Sequence, residues 1–221
     1  MARTSHPHAS PATTAASVTP RSSAERGREV RQKLLRAAVE LIPELGWNCV
    51  STRILAQRAD LAAGLVHYHF QSVEALLQEA TLGMMRKSLE GAMSALEQAA
   101  TLESGLDALL SALDAITGTD AASLLFIEAY LASLRNERLR SELAALLGEF
   151  RTSFARWLAA YNQEAPEVTA AVLAAAIDGV LLHRALNPEL TARNVAPVLR
   201  RLLSPPRATA KTRGKSEGNL K

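Results

Sequence analysis

Residues 51–70 read Ser-Thr-Arg-Ile-Leu-Ala-Gln-Arg-Ala-Asp-Leu-Ala-Ala-Gly-Leu-Val-His-Tyr-His-Phe, and this stretch decides the fold. Ser51 stands where its hydroxyl can cap the free N–H groups of a short helix over Thr52 to Ala59. A second short helix is predicted from about Ala63 to His69, across a three-residue turn. Helices this short are not stable alone and need a third to pack on. Residues 25–45 supply one, and Ile54, Leu55, Ala59, Leu61, Val66 and Phe70 are spaced to share a small core with it. That is the outline of a helix-turn-helix unit, whose second helix can enter a DNA major groove.

Upstream, Ser22-x-x-Glu25 forms a capping box ahead of Val30, Leu34, Leu35, Ala38, Leu41, Ile42 and Leu45 at helical spacing. Pro43 falls near the end of that helix and Gly46 closes it. Downstream, Gln71-Ser72 starts a long helix reaching roughly Ala99, and further helices fit 102–117, 120–134, 137–163, 167–186 and 191–203. No strand pattern persists. The expectation is an all-α chain of about nine helices, with a three-helix reading head over 23–72 and a larger helical body over 73–203. The flanking segments 1–22 and 204–221 have almost no large apolar side chains and are expected to form disordered basic arms.

Composition narrows the function. The chain has 221 residues, 48% of them apolar and 21% charged, the balance of a globular protein. Aromatics at 4% disfavour a lectin or a stacking platform for single strands. A single cysteine, Cys49, excludes an internal disulfide and any thiolate cluster. No secretory leader or membrane-length apolar run stands out, so the expected compartment is the cytoplasm, with no membrane partner. Formal charge is +2 over 1–24, +2 over 25–72, −5 over 73–203 and +4 over 204–221. A basic front end on an acidic body suits a protein presenting one end to a polyanion.

The chemistry of catalysis is missing. There is no nucleophile elbow, Gly-rich phosphate loop, His-Glu-x-x-His or paired Glu-x-x-His motif. His67 and His69, two apart on a helix, point about 200° apart and cannot chelate one metal well. No catalytic residue, metal site or cofactor is expected. Trp47 and Cys49 are expected to pack the first helix against its turn. The clustered cations Arg26, Arg28, Arg31 and Lys33 form either a solvated helix face or a set of DNA-backbone contacts.

Several motifs then occur in order: Leu35-x-Ala37-Ala38, Gly46-Trp47, Ser51-Thr52-Arg53-x-Leu55-Ala56, His67-Tyr68-His69-Phe70 and Ser72-x-Glu74-x-Leu76-Leu77. With these, the segment from about Val30 to Ala80 resembles the DNA-binding domain of the tetracycline-repressor (TetR) family. The resemblance covers about a quarter of the chain. A late segment, Ala174 to His183, is similar to the penultimate helix of one broad subgroup. The resemblance implies DNA contacts from Thr52 and Arg53, and from His67, Tyr68 and His69. Asp60, Ala62, Leu65 and Val73 depart from the common pattern, which has Gly, Ser, Thr and Lys there. Ala63 and Leu65 are left to meet thymine methyls and Gly64 to allow close backbone approach, with base readout leaning on Arg53 and His67.

For the body, the resemblance implies an apolar effector chamber and a homodimer through the last two helices. Met84, Met85, Met93, Phe126, Tyr130, Phe150, Phe154 and Trp157 are the candidate chamber walls. Asp178 and His183, polar groups in an otherwise apolar helix, are candidates either to orient a ligand in that chamber or to meet across the dimer interface. Leu181, His183 and Leu199 are candidates for the dimer interface. The function so implied is a ligand-responsive regulator, a repressor held on a palindromic double-stranded DNA operator and released by a small, largely apolar effector. The alternatives are an all-helical enzyme and a nonspecific architectural DNA binder.

Overall fold

A computed structural model describes residues 22–114 and 116–203; of the expected arms 1–22 and 204–221, all but Ser22, which caps α1, lie outside the described residues. Among these residues there are nine α-helices and one 3-10 turn, and no strand. The helices are α1 (Ser23–Leu45), α2 (Thr52–Ala59), α3 (Gly64–His69), α4 (Val73–Glu97), α5 (Leu102–Asp114), α6 (Ala121–Ser133), α7 (Glu137–Ala160), α8 (Pro166–Arg184) and α9 (Ala192–Leu202). The expected helices are all present. The largest boundary shifts are at α5 and α7, each of which stops three residues early.

Capping fixes most of the starts. Ser22 and Glu25 form the expected reciprocal box, and Ser51, Ser72, Asn136 and Thr191 each accept the N–H three residues on. Pro43 is tolerated inside the last turns of α1, and Gly46 ends that helix at φ +83°. Asp60 closes α2 in the left-handed region at φ 54°, which explains why glycine is common at that place. α3 starts without a side-chain cap, for its N-cap residue is Ala63.

Asp120 caps α6 and accepts from both Ser123 and Thr117. Burial pushes its carboxyl up, but the Ser123 hydroxyl (2.7 Å), the Ser123 N–H (3.0 Å) and the Thr117 N–H (2.7 Å) outweigh this and bring it down to about 2. A depressed carboxylate stabilises the fold above its unfolded value of about 4, and that contribution disappears as pH falls toward the folded value. Asp120→Asn is therefore expected to melt below wild type at neutral pH, with the gap closing on acidification below pH ~4. Thermal melts across that range check it; a gap constant with pH would sink the assignment.

Two main cores result. The upper one gathers Leu34, Leu41 and Ile42 of α1, Leu55 of α2, Val66 of α3 and Leu76 and Leu77 of α4. Leu125 of α6 and Leu139 of α7 belong to the same cluster, so the reading head is packed onto the body. The lower core gathers α4, α5, α7, α8 and α9 around Leu96, Leu106, Leu110, Phe154, Leu158 and Leu173. There the Trp157 ring lies over Gly105 so closely that a Cβ at 105 would come within 2.4 Å of it. At the far end, Asp114 accepts from the buried Arg184 at 3.1 Å and from the Ala192 N–H at 3.0 Å, tying α5, α8 and α9 together.

The sequence expectation of no membrane-length apolar run needs correction. α8 is nineteen residues long and, by length and composition alone, apolar enough to cross a membrane, yet little of it is buried in the single chain.

Candidate nucleic-acid interface

The start of α2 and the outer face of α3 form one exposed surface. The Ser51 hydroxyl accepts from the Ile54 N–H at 3.4 Å, leaving the N–H groups of Thr52 and Arg53 outside the intrahelical ladder. Free N–H groups at a helix start favour an anion such as phosphate. Thr52 is half-buried, and its hydroxyl lies 3.3 Å from His67 Nε2, which pins the start of α2 to α3. Arg53 is exposed, and among the described residues no hydrogen bond or ion pair engages it. Arg58, one turn and a half later, is spoken for: it donates to both Glu44 oxygens at 2.9 and 2.6 Å and reaches Glu40 at 3.4 Å. Those bonds raise the Arg58 pKa and lower that of Glu44.

On α3, Ala63, Gly64, His67 and Tyr68 are exposed, Tyr68 to 80%, while Leu65 is half-buried and Val66 fully buried. A side chain added at Gly64 would meet nothing within 4 Å, and its backbone is not in the left-handed region. His69 is half-buried beside Gly27 of α1 and meets the Tyr68 ring edge-on at 5.0 Å. Phe70 is core, as expected, and Arg31 covers it at 4.6 Å from the ring centre while also gripping Glu79 of α4 through both guanidinium nitrogens. Of the two readings of the α1 cations, Arg31 fits neither: it locks α1 to α4. Trp47 packs as expected, but Cys49 is exposed.

The candidate chamber residues divide among three clusters and the surface. Met93, Phe150, Phe154 and Trp157 share the lower core, where the Phe150, Phe154 and Trp157 rings follow one another at 5.9 and 6.1 Å. Met85 and Phe126 lie in a separate small cluster, and Met84 packs on the upper core. Tyr130 is 60% exposed on the outer side of α6, so it walls no chamber within one chain. Asp178 and His183 are exposed on α8. Protein around the Asp178 carboxyl pushes its pKa up, against the pull of Arg151. Cavities of about 420 and 340 Å3 lie elsewhere: the first at the head–body joint beside Trp47 and Glu128, the second between Asp114, Thr117 and Arg184.

The two leucines expected at a subunit interface are committed to the chain itself. Leu199 is 5% exposed within the lower core, and Leu181 is half-buried against it. Their neighbours Leu182, Val198 and Leu202 face outward instead. One residue is about 100° of helix, enough to turn a core position into a surface one.

Sequence reasoning missed a polar joint. Glu128 of α6 accepts the Trp47 N–H at 2.8 Å, and Glu74 of α4 accepts the Trp47 indole N–H at 3.2 Å and the Asn136 amide at 3.0 Å. The available signal was a lone carboxylate inside the apolar run Leu124 to Leu131. Among the described residues, no cluster of three His, Cys, Asp or Glu side chains is placed to hold a metal.

Comparison with known proteins bears on the same regions. The profile "Bacterial regulatory proteins, tetR family" matches residues 34–80, and "Tetracyclin repressor-like, C-terminal domain" matches 100–205. The chain is 25% identical over 192 residues to the HTH-type transcriptional regulator Rv2912c of Mycobacterium tuberculosis, covering 83% of this chain and 97% of that one. It is 28% identical over 162 residues to the HTH-type transcriptional regulator BetI of Cronobacter sakazakii, covering 71% and 80%. In structure it is similar to SCO7518 of Streptomyces coelicolor A3(2), with a TM-score of 0.65, 27% identity and coverage of 80% and 99%. Salmonella enterica GusR shares the fold at a TM-score of 0.65 and 24% identity, covering 79% and 95%.

Proposed function

Because the chain belongs to the tetracycline-repressor family and is a transcriptional regulator rather than an enzyme, we propose that it is a homodimeric repressor. In this reading it holds a palindromic operator in the cytoplasm and releases it when a small, largely apolar effector binds the body. The observation that carries the DNA half is the surface built by Arg53, His67, Tyr68 and the α2 start, a free cation and polar tips on two pinned short helices. Thr52, Arg53, His67 and Tyr68 supply polar contacts, and Ala63 and Leu65 are left for thymine methyls.

Gly64 supports this reading. Neither its backbone nor its packing requires glycine, and glycine weakens a helix. Close approach of a duplex does require it. Gly64→Ala is expected to raise stability by up to about 0.5–1 kcal/mol while weakening operator binding. Parallel melts and binding isotherms check it; equal or tighter binding would remove α3 from the groove.

The dimer half rests on α8. Val168, Val172, Ala175 and Leu182 of α8 are exposed, and with Gly179, which has open space around it, they recur at alternating spacings of four and three. That spacing is a coiled-coil seam without a partner. A self-complementary helix pair would bury it, with Val198 and Leu202 of α9 alongside, and would account for the low burial of so apolar a helix. Two reading heads about 34–36 Å apart then meet successive major-groove faces of one operator. Met93, Phe150, Phe154 and Trp157 are the wall residues we retain for an effector, which would act by binding one head spacing better than another.

Selection of bound fragments from random DNA, followed by footprinting, tests the proposal. A palindromic consensus supports it. Binding with no preferred sequence would favour an architectural DNA binder, and no duplex binding would overturn the reading.

A further inference from the structure

The reading head meets the body through packed apolar residues, through the Arg31–Glu79 ion pair at the surface and through a polar joint at Trp47, and these differ in kind. Packing at Leu34, Leu41, Leu55 and Val66 is closed and cannot shift without opening the core. The joint borders an open cleft of about 420 Å3 lined by Trp47, Glu74, Glu128, Leu131, Arg135 and Asn136, among others. Across it, Glu128 Oε2 accepts the Trp47 N–H at 2.8 Å. Trp47 lies directly after Gly46, whose φ of +83° turns the chain so that a Cβ at 46 would face the Glu128 oxygens at 3.8 and 3.9 Å. Four residues later the chain reaches Ser51, and then Thr52 and Arg53. A carboxylate on the body therefore holds the main chain that leads into the DNA-contacting end of α2.

The same residue is held a second time. Glu74, at the start of α4, accepts from the Trp47 indole at 3.2 Å, from Asn136 at 3.0 Å and from Gln78 at 3.4 Å. Asn136 caps α7 by accepting the Leu139 N–H at 2.9 Å. Among the described residues no salt bridge engages either carboxylate, so both hold neutral donors only. Hydrogen bonds of this kind are directional and break over a few tenths of an ångström to about an ångström. Loss of this one bond would thus free the Trp47 N–H while the apolar packing around Leu34, Leu55 and Leu125 stays closed.

We propose that Glu128 is a positioning residue for operator binding: by accepting the Trp47 N–H it sets the angle of the reading head on the body, and so the spacing of the two heads. The inference rests on the dimeric-operator reading above. It adds to the long helix α4 a second connection through α6, and it places that connection on one bond.

The test uses the full-length protein and duplexes carrying the selected half-sites at their native spacing and at one base pair more or less. Wild type is expected to prefer the native spacing. Glu128→Ala is expected to lose about ten-fold of that preference, within the range usual for coupling between sites. Glu128→Gln, whose amide oxygen still accepts, is expected to retain most of it. Loss of fold alone would weaken all duplexes together and leave their ratios unchanged. Hydrogen exchange at the Trp47 amide gives a reading that needs no variant: it should slow when wild type binds the native spacing and not when it binds the altered ones. An unchanged spacing ratio in Glu128→Ala, or Trp47 exchange indifferent to spacing, overturns the inference. If wild type itself shows no spacing preference, the dimeric-operator reading fails and takes this inference with it.

Discussion

Leu182→Asp is expected to convert the protein to a folded monomer with sharply reduced operator affinity. Leu182 is 53% exposed in the single chain and sits in the α8 seam three residues after Gly179. In a two-fold dimer the substitution places a carboxylate from each copy in the same apolar contact. A buried charge without a partner costs about 3–5 kcal/mol, which weakens association by more than about a hundred-fold. The fold itself should survive, because Leu182 contributes little to either core. Leu199→Asp makes the contrast: that side chain is only 5% exposed in the lower core, so a charge there should unfold the chain rather than separate two chains. Sedimentation velocity with circular dichroism distinguishes the two. A Leu182→Asp protein that stays dimeric with the wild-type dissociation constant places the interface elsewhere and leaves the α8 seam unexplained.

That contrast shows where the sequence was legible. Periodicity and caps sufficed for all nine helices, because Ser22, Ser51, Ser72 and Asp120 mark starts by a local mechanism that needs no tertiary context. The reading head was legible too, since its motifs are local and its core positions Leu55, Val66 and Phe70 follow from short-range spacing. The body was not. α8 is so uniformly apolar that its inner and outer faces cannot be told apart from pattern alone, and the reading chose Leu181 where the exposed residue is Leu182. Tyr130 failed for a similar reason: α6 is apolar all round, so nothing in its sequence marks the side that faces out. The joint at Trp47 was hidden because its partners are 27 and 81 residues away. Arg31 looked like one more cation of a basic face, and only the arrival of Glu79 and Phe70 beside it shows otherwise.

The same distinction between committed and uncommitted cations sets the expectation for DNA binding. Arg53→Ala is expected to cost about 1–3 kcal/mol of operator affinity if its guanidinium makes a bidentate guanine contact, which is roughly 5- to 150-fold. Nothing within the described chain holds Arg53, so removing it should leave the melting temperature nearly unchanged. Arg58 lies in the same helix with the same charge but is held by Glu44 and Glu40. Arg58→Ala should therefore reduce operator affinity much less, and mainly by loosening α2 on α1. The pair separates a contact from a charge effect, because both variants lose one positive charge from the same basic head. Salt then separates the two kinds of contact. A base contact is lost for the operator and not for scrambled DNA. A phosphate contact is lost for both, and the dependence of log affinity on log salt flattens by about one unit. Titrations of both variants against operator and scrambled duplex at several salt concentrations decide among these. Equal losses for Arg53→Ala and Arg58→Ala would mean that the head acts only through its net charge. No loss for Arg53→Ala on either duplex would take the start of α2 off the DNA.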